Sequence, residues 1–162
     1  MNAECQRIAD QLRRAFIREA WHGSPLLDLL DDVSPEQARA RPLPAAHNIW
    51  ELVLHIDFWV EAALNATQGV AMPKMEGAAG HAKGDWPALT DAGALNWFEA
   101  QDRLFKNAES LTEAIAKFDD AKLQDTVPGR EYNFYRLFHG IVQHSLYHAG
   151  QIAILKKGLS GA

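Results

Sequence analysis

The stretch FYRLFHGIVQHSLYHAGQIAILKKG, residues 134–158, contains no proline and repeats its apolar residues at helical spacing. It runs for about 25 residues, or about 37 Å at the α-helical rise. Lys156 and Lys157 suit the negative end of such a helix, and Gly158 suits its stop. An amphipathic helix of this length needs long partners to cover its apolar side.

Three further stretches supply them. Cys5, Ile8, Leu12, Phe16 and Ala20 recur at steps of three and four, with Ala9, Ile17 and Trp21 widening the face, which predicts a first helix. In NIWELVLHIDFWVEAALNA, Asn48 followed three residues later by Glu51 resembles a capping box and marks the start of a second. A third is expected from near Thr90 or Asp91, carrying Leu104, Ala108, Leu111, Ile115 and Phe118. The segment between the first two helices is rich in Pro and Asp and is expected to wrap around the core, with a short helix starting at Ser34 and Pro35 at its first position. Residues 69–89 combine several Gly with Pro73 and Pro87 and read as a surface loop and candidate mobile lid. No alternating strand pattern or fixed-period repeat is evident. The expectation is an all-α antiparallel four-helix bundle, one domain over residues 1–162, with a long connection between helices one and two.

Composition narrows the function classes. Of the 162 residues, 48% are hydrophobic and 23% charged, which argues against a disordered or fibrous chain. The net charge of -5 and the scatter of Lys and Arg leave no basic stripe, so nucleic acid is not an expected partner. The single cysteine, Cys5, fits a reducing compartment, and the cytoplasm is the expected location. No run approaches the roughly 18 apolar residues of a membrane span, and the first 20 residues mix acids with bases as an amphipathic helix does, unlike a signal peptide.

The chemistry concentrates on histidines. Leu137, Ile141, His144, His148, Gln151 and Leu155 form one seam of the last helix, and both histidines point inward. Residues four apart lie about 40° apart around a helix and one turn along it, so two imidazoles there can converge on one ion. Leu52, His55, Trp59 and Ala62 form a similar stripe on the second long helix. Taken alone, His55 also fits a hydrogen-bonded core histidine; taken with the pair, it makes a three-imidazole set. A divalent ion held by three histidines keeps a position open for water or substrate, as reactive sites do. His22, His47, His81 and His139 read as surface or capping residues, and His139 stands about 140° from His144 around the helix. The sequence lacks the two Glu-x-x-His motifs of a di-iron bundle and has no His-Glu-x-x-His, no Gly-x-Ser-x-Gly and no phosphate-cradling loop. Cys5 on an amphipathic helix reads as a small buried hydrophobe.

The capped start and histidine of NIWELVLHI, the run HGIVQHSLYHAGQI and its lead-in YNFYRLFHGIVQH together resemble the DinB-like, YfiT-type metal-binding four-helix bundles. The resemblance implies a site in which His55, His144 and His148 hold zinc, nickel, manganese or iron. It also implies chemistry with low-molecular-weight thiols such as bacillithiol, mycothiol or glutathione. Gln151, one turn beyond His148, is the candidate to orient a ligand or substrate, or to bond another helix. The functional expectation is a metal-dependent thiol S-transferase or hydrolase, with a small-molecule thiol or electrophile as partner; the alternative is a noncatalytic metal- or ligand-binding stress-response module. The wide apolar faces, five Trp and the habit of the family point to a homodimer.

Overall fold

A computed structural model describes residues 3–17, 19–76, 81–87, 89 and 96–160 of the chain. Its elements are α1 (Ala3–Phe16), α2 (Leu26–Leu30), α3 (Pro35–Arg39), α4 (Ile49–Thr67), β1 (Met75–Glu76), β2 (His81–Ala82), α5 (Trp97–Lys117), a 3-10 turn (Asp120–Lys122) and α6 (Phe134–Ser160). The long helices pack as a bundle, α4 against α5 and α6, and α1 against α5 and α6. None of the described helices is long and apolar enough to cross a membrane.

The helix starts follow from local chemistry. Asn48 accepts a hydrogen bond from the Glu51 amide at 2.9 Å, while Glu51 accepts from the Asn48 amide at 3.0 Å. Asn96 and Glu99 repeat the same reciprocal box at α5, and Ser34 and Gln37 repeat it at α3 with Pro35 in the first helical position. Each such cap is worth about 1 kcal/mol. The first turn of α1 is closed from far away in sequence, where the Asp120 carboxylate accepts from the amides of Glu4 at 3.1 Å and Cys5 at 2.9 Å.

Burial explains the order of packing. One apolar face would suffice for a surface helix, yet α4 buries residues on nearly every side, from Ile49 and Trp50 through Val53 and Ile56 to Ala63 and Ala66. It is the central helix. From α5, Leu104, Ala108, Leu111 and Ile115 enter the core as their spacing predicts, and each large aliphatic side chain fully buried there contributes about 1.5–3 kcal/mol. Asp57 is fully buried on α4 and accepts from Arg103 Nε at 2.6 Å and Asn107 Nδ2 at 2.8 Å, which joins α4 to α5 through a satisfied polar contact.

Three expectations need correction. The first helix stops at Phe16: the chain turns at Ile17, Ala20 pairs with Gly23, whose φ is +132°, and Trp21 is 102% exposed. The helix has ended before Ala20 and Trp21, which lie in the turn that Gly23 completes with its positive φ. The connection that follows enters the core, since Leu26, Leu30, Val33 and Ala38 are buried and the Val33 carbonyl accepts from Trp97 Nε1 at 2.7 Å. The segment read as a strand-free loop contains an antiparallel pair, Met75 opposite Ala82 and Glu76 opposite His81. A helix start near Thr90 or Asp91 lies outside the described residues; α5 is described from Trp97, behind its cap Asn96.

Candidate metal centre

α4 delivers His55 and α6 delivers His144 and His148 to one point. His55 and His148 are 5% and 6% exposed, and His144 is partly buried between them. The His144 Nε2 lies 3.1 Å from the Nε2 of His55 and 3.1 Å from the Nε2 of His148. The ring centroids are 4.5–5.0 Å apart, with 4.5 Å between His144 and His148 and 5.0 Å between His55 and His144. One ligand atom from each of the three rings lies within 4.8 Å of the others, and these three residues could hold a metal ion. Nitrogen donors about 2.0–2.1 Å from a tetrahedral ion stand about 3.3 Å apart, so the 3.1 Å spacings need a shift of only a few tenths of an ångström.

The proton positions follow from the outer partners. His55 Nδ1 is 2.6 Å from the backbone carbonyl of Asp85, which only accepts, so Nδ1 carries the hydrogen and Nε2 presents a lone pair. His148 Nδ1 donates likewise to Gln151 Oε1 at 2.6 Å. Two lone pairs are thereby directed at the third imidazole. His144 Nδ1 is buried without a partner. A neutral histidine carries one ring hydrogen, so His144 can satisfy at most one of its two close neighbours by donation from Nε2. The donor set fits a cation better than it fits itself.

Protons do not resolve the conflict near neutral pH. Burial, with the neighbouring His148 and His55 in support, pushes His144 down to about 3. Burial also pushes His55 down to about 4, outweighing the Asp85 carbonyl that favours its charged form. His148 is lowered by burial as well, against the opposing hydrogen bond to Gln151. All three rings are held neutral, the state in which imidazole binds metal.

The outer partners are more than hydrogen-bond acceptors. Trp86 stacks on His55 at 3.8 Å with 7° between planes, and its other face is covered by His47 at 3.6 Å and 7°. His47 Nδ1 in turn donates to Glu51 at 3.1 Å, so the carboxylate that caps α4 also orients a ring at the edge of the site. Asp85 is held by its own turn, where its carboxylate accepts from the Ala82 amide at 3.2 Å. A cavity of about 690 Å³ opens beside the cluster, lined by His55, His144, His148 and Gln151 among apolar side chains.

The four remaining histidines divide. His47 and His81 are exposed, as expected, yet both line this cavity. His22 is exposed at a turn, and His139 lies against Tyr135 with centroids 4.4 Å apart and a buried Nε2 that has no partner. Asp85, Trp86 and the His47–Glu51 pair were not singled out from sequence. The four-residue spacing of His47 and Glu51 was a usable signal, whereas a backbone carbonyl leaves none.

A family model described as the DinB superfamily matches residues 18–152, which span α2 through most of α6 and all three histidines. The chain belongs to the DinB superfamily. Neither curated proteins nor solved structures provide a match.

Proposed function

We propose that this DinB-superfamily protein binds a divalent metal ion, zinc, nickel, manganese or iron, through His55, His144 and His148, and uses it as a thiol S-transferase or hydrolase. The observation that carries the reading is the meeting of three Nε2 atoms, two pairs of them at 3.1 Å, with lone pairs fixed by outer carbonyl oxygens at the wall of a cavity. A bound divalent ion supplies a Lewis acid that favours the deprotonated form of a thiol or water near neutral pH.

The chain's own residues account for the rest. The Asp85 carbonyl and Gln151 Oε1 hold the rings of His55 and His148 in one tautomer and orientation. Trp86 covers one face of His55 and keeps water from it. His47, which lines the cavity, gives its Nδ1 hydrogen to Glu51, and that bond fixes its tautomer and ring orientation. Metal analysis of purified wild type and His148→Ala tests the binding step, and equal metal content in both rejects the site.

A noncatalytic metal- or ligand-binding stress-response module is the second reading. It is favoured by Asp85, the only carboxylate among the described cavity residues, being committed to its own turn. A screen of thiols against electrophiles separates the two, because turnover that His55→Ala abolishes excludes the noncatalytic module.

A further inference from the structure

The cavity beside the three imidazoles has an unusual charge inventory. Its walls are built largely from Leu43, Leu52, Trp59, Ile154 and Leu155, and no Lys or Arg lines it among the described residues. Residues 77–80, 88 and 90–95 contain no Lys or Arg either. The guanidinium next to this wall belongs to Arg41, which donates to the Ala46 carbonyl at 2.7 Å and to Glu51 and is therefore committed. Among the described residues the one acid on the wall, Asp85, is turned toward His81 Nδ1 at 3.5 Å.

A ligand entering this space meets the histidine cluster, the exposed imidazoles of His47 and His81, and no Lys or Arg among the described residues. A carboxylate carried on the ligand's body would give up its hydration with no Lys or Arg side chain on the described wall to receive it. An uncharged aromatic or alkyl body loses nothing by the same transfer and gains the contact of Trp59 and the leucines. The volume of about 690 Å³ suits a small organic molecule and falls in the usual range for such sites.

We infer that the cavity selects a ligand with a single coordinating head, a thiol sulfur, on an uncharged apolar body, and disfavours thiols that carry carboxylates. The head group rests on the metal-binding reading above; the body rests on the walls alone. Gln151, whose oxygen is taken by His148, keeps its amide hydrogens as donors for a neutral polar group on the ligand.

The test uses full-length protein loaded with cobalt(II), titrated with benzyl mercaptan, 4-(mercaptomethyl)benzoate and glutathione, and read by visible absorption and calorimetry. Benzyl mercaptan is expected to bind at least about tenfold tighter than either carboxylate-bearing thiol. Ile154→Lys, on a wall residue that is 61% exposed and so tolerant of charge, is expected to narrow the gap for 4-(mercaptomethyl)benzoate to about threefold or less by offering an ion-pair partner. Equal or tighter binding of the carboxylate thiols by wild type overturns the inference. A protein that takes up no cobalt defeats the metal reading separately. The wall argument is then decided on metal-free protein by calorimetry with 1-naphthalenemethanol and 1-naphthoate, where preference for the alcohol sustains it and equal binding of the acid overturns it.

Discussion

Two buried polar residues stand two positions apart on α4, and they have opposite fates. Asp57 is fully buried and satisfied, its oxygens taken by Arg103 and Asn107 of α5. His55 is nearly as buried but points its Nε2 at another nitrogen 3.1 Å away. The first arrangement closes on itself and holds two helices together. The second brings three imidazoles together that could hold a metal ion, and that difference marks a candidate site where burial alone marks nothing.

The sharpest way to break the comparison is to remove a ligand from the histidine cluster. His148→Ala is expected to lower bound metal from about one equivalent to near zero by elemental analysis, with helical circular dichroism retained. Retained metal would put His148 on the same footing as Asp57.

The next largest effect is that of pH on metal-free protein. His55 and His144 take up protons near 6.5 when unfolded but only near 4 and 3 when folded. Below pH 6.5 the unfolded chain therefore binds more protons, so folding stability is full above pH 6.5 and declines as the pH falls toward 3. Urea unfolding at pH 7.5 and 5 measures it, and His144→Leu is expected to flatten the decline.

Arg103→Met probes the closed cluster. It strands the buried Asp57 charge and is expected to cost about 3 kcal/mol in urea unfolding while leaving metal content unchanged. Loss of metal in this variant would show that the two clusters are coupled. The smallest expected effect is that of Gln151→Ala, which frees the His148 ring and is predicted to weaken metal affinity by about 10–100-fold, by competition with a chromophoric chelator, without loss of fold.

Much of this was legible in the residues themselves. The long helices declare themselves through repeated steps of three and four, and the Asn48–Glu51 box was readable because its two partners are local. His144 and His148 were legible as a pair because four residues on one helix keep a fixed relation whatever the fold. Their meeting with His55 depends on how α4 packs on α6, which no local pattern dictates. Leu26 and Leu30 were missed as core because one helical turn is too short to show a period. Asp85 was missed for a different reason: its carbonyl acts on His55, and every residue has a carbonyl.

The cap on α1 bears on the order in which the chain takes shape. Asp120 reaches the amides of Glu4 and Cys5 across more than a hundred residues of sequence. On the ribosome the amino-terminal segment emerges first, yet the carboxylate that finishes its opening turn is made only after α5 has been translated. Closure of that turn by Asp120 is a late, long-range event.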